Sequence, residues 1–262
     1  TITIPSTKLS KMYVNEKIPI DVNVSKDNIP KDNLKVYLRV DGIVYEDTRE
    51  LTNNNGDATL TLKLTTLGTH TVEVFINESN VSESLTVNIL NPDYYVSKSG
   101  NDSNDGLTLS TAFLTLNKAV TSASTSNCIF VQSGTYNGTS NTALTISKNL
   151  TIYGDGSAVF SGENSRQSGF TVNTGYAVTC NGLKFINGGG DAGAVTVNDN
   201  CSIINCTFQN NLKSTSTDDV TGWGGAVYCI GSKNLIFNSN FYSNKAYSGG
   251  GIYNDSSNTV TD

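Results

Sequence analysis

The phrase GGAVY at 224–228 returns as GGGIY at 249–253, and this repetition limits the possible folds more than any other feature of the chain. GFTV at 169–172 and GAVTV at 193–197 are earlier, looser versions. Between them lie LKFING (183–188), CTFQNN (206–211) and NFYSN (240–244). Self-similarity at 20 to 50 residues marks a solenoid, because a single repeat cannot bury its own apolar face. Apolar and polar residues alternate with period 2 inside each phrase, so the repeating unit is built of strands. Strands stacked in parallel register give a parallel β-helix, and the rule for parallel crossovers makes it right-handed.

The phrases align residue by residue. Phe185, Phe208 and Phe241 share a column, with Leu183, Cys206 and Ser239 two residues earlier and Cys180, Ile203 and Ile236 five residues earlier. Phe170, Val195, Val227 and Ile252 form another column, followed by Val172, Val197, Cys229 and Asn254. Most of these positions are apolar or thiol, as inward positions require. The step is 25 residues from Phe170 to Val195 and from Val227 to Ile252, but 32 from Val195 to Val227. The excess falls in 212–223, which reads as a loop inserted into one coil. Gly182, Asn205 and Asn238 mark one bend, and Asn211 and Asn244 another. Asparagine tolerates the left-handed backbone of a bend and can stack its amide between coils.

Composition narrows the function classes. Lys and Arg total 17 against 23 Asp and Glu. That balance argues against nucleic acid and anionic membrane surfaces as partners. No apolar run is long enough to insert in a membrane. The abundance of Asn, Thr and Ser, with nine Asn-x-Ser/Thr sequons, suits an extracellular surface. The five cysteines fit no metal spacing. Cys180, Cys201, Cys206 and Cys229 fall on inward columns and read as small buried apolar residues, not as a disulfide framework.

The first 92 residues read as a separate domain. Alternating segments occur at 18–25, 34–40, 58–64, 70–76 and 84–90, and Asp41-Gly42 is a two-residue hairpin signal. Strands at intervals of about ten residues suggest a β-sandwich. His70, the lone histidine, is expected to be structural. Asn91-Pro92-Asp93 is the linker, and the β-helix takes 93–262. Phe113, Leu116, Ala119 and Val120 have helical spacing, with Ser110 or Thr111 as N-cap. That helix would cover the open end of the first coil. The final GIYNDSSNTVTD reads as a repeat cut short.

YVSKSGNDSNDG, a helix, IFVQSGTY and LTISKNLTIYGDG together resemble the start of pectate-lyase-like right-handed β-helices. The GGAVY, FYSN and GGGIY phrases resemble the GGAI/FxxN repeats of polymorphic outer-membrane-type surface proteins. Gly68-Thr69-His70-Thr71-Val72 resembles the GxYxVxV strand of bacterial and archaeal immunoglobulin-like repeats, with His70 in place of the corner tyrosine. An immunoglobulin-like domain beside such a β-helix is similar to the adhesin-like surface proteins of methanogenic archaea. That resemblance implies an all-β chain at the cell surface that adheres to another cell. It also suits unpaired thiols, since methanogens are strict anaerobes.

The scaffold hosts lyases, hydrolases and binding proteins alike, so the site must decide. Polygalacturonase-like hydrolases resemble one another in an aspartate cluster with a histidine and an Arg-x-Lys stretch; here no histidine follows His70 and no arginine follows Arg166. Asp218 and Asp219 are adjacent in the inserted loop, a poor arrangement for two carboxyls flanking one bond. A calcium-dependent lyase needs a carboxylate cluster and a nearby base. Asn101, Asp102, Asn104 and Asp105 are the candidate calcium ligands, although turn chemistry explains the same residues. Lys184 is the candidate base, but Thr207 and Asn240 neighbour it on its outward column.

The binding reading rests on aromatics. Tyr228 and Tyr253 share an outward column, and at a coil spacing of about 4.8 Å their rings are expected to stack along the axis. Trp223 ends the insert, and Tyr242 and Tyr247 lie on nearby segments. Such faces, with Asp218 and Asp219 in a wall beside them, suit sugars. Plain cross-strand packing of tyrosine is the competing account. The expectation is therefore a monomeric, extracellular, adhesin-like protein without catalytic residues. It binds cell-surface carbohydrate or a protein of another cell, and calcium is the one candidate cofactor. A calcium-dependent polysaccharide lyase and a non-binding spacer are the alternatives.

Overall fold

A computed structural model describes residues 1–4, 11–76, 81–189, 193–213, 222–255 and 259–261. Thr1–Asn91 form one compact unit and Pro92–Asp262 a second.

The first unit contains two sheets. In one, Lys17–Lys26 pairs antiparallel with Ile2–Thr3, Ile29–Pro30 and Asp57–Lys63. In the other, Lys11–Tyr13 runs parallel to Ser82–Leu90. Antiparallel pairing then continues through Gly68–Ile76 and Lys35–Val40 to Ile43–Leu51. Ile20, Val22, Leu60 and Leu62 from the first sheet share a buried core with Val36, Leu38, Val72, Val74 and Val87 from the second. These residues follow the period-2 pattern of the sequence, so the alternation itself sets which face is buried. The strands Ile2–Thr3 and Lys11–Tyr13 are too short to show that alternation.

Asp41-Gly42 makes the expected two-residue turn, with φ of 49° and 85°, and joins Val40 to its partner Ile43. His70 holds this turn. Its Nδ1 is 2.6 Å from one Asp41 carboxylate oxygen, while the other oxygen accepts the Thr71 N–H at 2.8 Å. Its Nε2 lies 3.1 Å from the Thr66 carbonyl. The hydrogen bond to Asp41 raises the His70 pKa above 6.5, and the same bond, with the Thr71 amide, lowers that of Asp41. The histidine contribution to stability is therefore complete below pH 6.5 and fades as pH rises through the raised value. The aspartate contribution is present above its unfolded pKa and fades as pH falls through the lowered one. In an NMR titration the His70 midpoint is expected above 6.5, moving back toward that value in Asp41→Asn. A midpoint unchanged by that substitution would mean that the ion pair does not form in solution.

The second unit is a parallel β-helix. One sheet stacks Leu144–Ile146, Phe170–Val172, Val195–Val197, Val227–Cys229 and Ile252–Asn254. The other has ten strands, among them Asn127–Val131, Leu150–Ser161, Val178–Ile186, Thr207–Gln209 and Asn240–Tyr242, and every pairing in it is parallel. The register places Val195, Val227 and Ile252 in one column and Cys180, Ile203 and Ile236 in another. The phenylalanine column is longer than the repeats suggest. Tyr136, Phe160, Phe185, Phe208 and Phe241 stack in sequence with centroids 5.3, 5.6, 5.2 and 5.1 Å apart. The first four rings are buried.

The glycine phrases have a steric cause. Gly224 and Gly249 adopt φ of 70° and 65°, a region that disfavours any side chain. Gly225 passes so close to the next coil that a Cβ would sit 2.3 Å from the Gly250 carbonyl oxygen. Asparagine ladders close the bends. Asn238 donates to the Asn205 side chain at 2.7 Å, and Asn205 to that of Asn181 at 2.9 Å. Gly182, Asn205 and Asn238 all have positive φ, as a bend requires. Asn211 is fully buried and donates to the Asn244 side chain at 2.9 Å and the Phe185 carbonyl at 3.0 Å.

All five cysteines are buried free thiols. Burial pushes the pKa values of Cys206 and Cys229 up to about 12. At neutral pH such thiols stay protonated and are poor nucleophiles.

The capping helix is Leu116–Ser122, and its N-cap is Thr115, not Ser110 or Thr111. The helical spacing misleads at Phe113, which instead bridges to Val96 and stacks on Tyr94 at 5.5 Å. In the preceding turn the Thr108 hydroxyl bonds to those of Ser110 and Thr111. Leu116, Ala119 and Val120 face the β-helix core. The Lys148 ammonium donates to the carbonyls of Val120, Thr121 and Ala123 at 2.8, 3.0 and 2.6 Å, serving acceptors that the helix end leaves unpaired.

Candidate functional site

The outward column of the five-stranded sheet runs Thr145, Thr171, Thr196, Tyr228, Tyr253. It changes from hydroxyl to aromatic where the insert enters. Trp223, at the end of that insert, is fixed by its backbone. It bridges to Ser248, the Gly224 N–H donates to the Ser248 carbonyl, and the Ser248 N–H returns to Gly222, both at 3.0 Å. The indole is thereby carried onto the tyrosine column.

Trp223 lies face to face with Tyr253, centroids 5.2 Å apart and planes 11° apart. Tyr228 meets both rings edge-on, at 5.8 Å from Trp223 and 5.7 Å from Tyr253. The expected stack of Tyr228 on Tyr253 is therefore corrected: their planes are 69° apart. With the indole over one face of Tyr253, Tyr228 is left the edge-to-face arrangement that ring quadrupoles favour. In the core column from Tyr136 to Phe241, by contrast, successive ring planes are 28°, 20°, 17° and 8° apart at nearly the same spacing. All three aromatics of the patch are half-buried. Burial is the main cause of the raised Tyr228 pKa, with the Asp255 carboxylate second.

The other candidate residues are not all gathered here. Tyr242 is 53% exposed but belongs to the other sheet, where it pairs with Gln209. Tyr247 is 47% exposed and directly precedes Ser248, the backbone partner of Trp223. Asp218 and Asp219 lie outside the described residues. Lys184 pairs with Thr207, and Thr207 with Asn240, along its column.

The candidate calcium ligands hold a loop together. Asp102 accepts the N–H groups of Leu114 and Thr115 through one oxygen and the Thr115 hydroxyl through the other. Asn101 accepts the Ser103 N–H, and Asn104 donates to the Ala112 carbonyl. The Asp105 carboxyl is held below its ordinary pKa by the Thr111 side chain and then by the Leu107 amide. Calcium takes six to eight oxygens, and loading it here would pull Asp102 away from the helix start. Among the described residues no cluster of three or more His, Cys, Asp or Glu side chains is placed to hold a metal.

A cleft of about 380 Å³ is lined by Asn149, Tyr176, Asp199, Asn200, Ser232 and Lys233, which follow the strands Leu144–Ile146, Phe170–Val172, Val195–Val197 and Val227–Cys229 of the five-stranded sheet. These are turn residues from four coils that share no motif, so only the assembled bends reveal it.

No curated protein matches the chain. Among solved structures it is similar to the C-terminal 282-residue fragment of intimin in complex with the intimin-binding domain of the translocated intimin receptor. That match has 23% identity and a TM-score of 0.30, and covers 35% of this chain and 34% of that one. It is also similar to a rhamnogalacturonan lyase at 16% identity and a TM-score of 0.45, covering 64% of this chain and 44% of that one. The chain thus spans less than half the length of either structure. Residues 98–262 match the profile of the protein family of unknown function DUF1565, and the chain belongs to that family.

Proposed function

We propose that this protein is an adhesin-like, extracellular binding module. It holds cell-surface carbohydrate on the β-helix flank at Trp223, Tyr228 and Tyr253, and it does no chemistry on what it holds. The observation that carries this reading is the aromatic patch itself. Three half-exposed rings are locked by one another and by the Trp223–Ser248 bridge on an outward column. A rigid aromatic face gives apolar contact to a sugar ring at little entropic cost. Tyr247 stands next to the patch in sequence and extends it; Tyr242 serves a different sheet and drops out.

Trp223→Ala and Tyr253→Ala are each expected to weaken binding about fivefold, the equivalent of about 1 kcal/mol for a lost aromatic contact. Circular dichroism should remain that of the folded protein, since these side chains point away from the core. The test is titration of the intact protein with the glycans it retains. Undiminished binding in both variants would move the site elsewhere. Binding that survives removal of all cell-surface glycans would turn the reading toward a protein partner.

A further inference from the structure

The corner cleft has a composition that the aromatic patch lacks. Asp199 is clamped in place, its Oδ1 accepting the Ser232 N–H at 2.8 Å and the Ser232 hydroxyl at 3.3 Å. Its Oδ2 has no protein partner among the described residues. Asn149 is held the same way, its Oδ1 accepting the Ala177 N–H at 2.8 Å. Tyr176, between them along the axis, is 38% exposed. Lys233 stands in a left-handed turn, exposed, with no carboxylate partner among the described residues. The cleft therefore offers a fixed carboxylate oxygen, side-chain amides, an ammonium and an apolar ring within one small concavity.

We infer that this cleft is a second binding site, separate from the aromatic patch, and that it takes a neutral sugar ring bearing adjacent hydroxyls. Asp199 Oδ2 accepts from the hydroxyls, Lys233 and the amides donate to them, and Tyr176 contacts the apolar face of the ring. Asp199 and Lys233 offset each other in charge, so an acidic sugar gains from one and is repelled by the other. The volume sits at the small end of the range for ligand sites, which suits a single sugar unit over a long chain. The site is independent of Trp223, which precedes the strand Val227–Cys229, whereas Ser232 and Lys233 follow it.

The test is an NMR titration of the intact protein with the methyl glycosides of glucose, galactose and mannose, and with methyl glucuronide. At least one neutral glycoside should give saturable shifts at the Gly175, Tyr176 and Ser232 amides. A millimolar dissociation constant is expected of so small a ligand. Asp199→Asn keeps the Oδ1 acceptor for Ser232 and replaces only the free oxygen. It should weaken binding about tenfold or more with the melting temperature unchanged. Tyr176→Ala should weaken it about fivefold, and Trp223→Ala should leave it as in the wild type. The inference is overturned if no neutral glycoside shifts these amides, if Asp199→Asn binds like the wild type, or if the glucuronide binds more tightly than the neutral sugars. Loss of binding in Trp223→Ala alone would assign the sugar to the aromatic patch and leave only that site standing.

Discussion

Phe208→Ala is expected to lower the unfolding free energy of the β-helix by about 3–5 kcal/mol, the usual cost of emptying a buried aromatic site. Phe208 is wholly buried and lies between Phe185 and Phe241 at 5.2 and 5.1 Å. Its neighbours are anchored by strands in the coils above and below, so they cannot collapse into the space. Phe208→Leu should cost clearly less, because most of the volume stays filled. Trp223 is the sole tryptophan and sits in the β-helix unit, so its fluorescence in a urea titration reports that unit alone. A loss below about 1 kcal/mol for the alanine variant would mean that the ring column is not packed as described.

Asn211→Leu should be comparably damaging, although it makes a buried position more apolar. The Asn211 amide oxygen accepts the Ser168 hydroxyl at 2.7 Å and the Gly188 N–H at 2.9 Å. Its amide nitrogen donates to the Phe185 carbonyl and the Asn244 side chain. Leucine matches the shape but strands the Ser168 hydroxyl, the Gly188 N–H and the Phe185 carbonyl, while Asn244 keeps the Asn211 backbone N–H. At about 1–3 kcal/mol for each of these three groups left unsatisfied, a total of about 3 kcal/mol or more is expected. Asn238→Gly, at an exposed bend with φ of 45°, removes one ladder bond but relieves the backbone, so it should be nearly neutral. Hydrogen exchange should show the Gly188 amide losing protection in Asn211→Leu. Equal stability of the leucine and glycine variants would mean that the asparagine ladders do not hold the coils.

The repeats carried the register because identical phrases must occupy identical places in a stack. That is why the columns through Val227 and Phe208 and the bends at Asn205 and Asn211 could be placed by counting. Counting stops where the phrases stop. Tyr136 and Phe160 belong to the same ring column, but a register shift between Tyr153 and Ala158 breaks the alignment, and no shared phrase reaches across it. Phe113 mimics a helical position because spacing alone cannot separate a helix from a β-bridge. The orientation of Tyr228 could not be counted either: period and spacing place a Cβ, while the ring plane depends on what covers its neighbour, here Trp223. The corner cleft is harder still, being assembled from bends whose residues are chosen for backbone conformation and share no pattern.

Binding without chemistry at the Trp223 flank is tested by a glycan array probed side by side with the wild-type protein and Trp223→Ala, with the length of every retained glycan measured afterwards. Retention by the wild type, a clear loss of signal in Trp223→Ala and glycans of unchanged length are the predicted result. Equal signals from the two proteins, or glycans shortened by the wild type, would contradict a non-catalytic binding flank at Trp223.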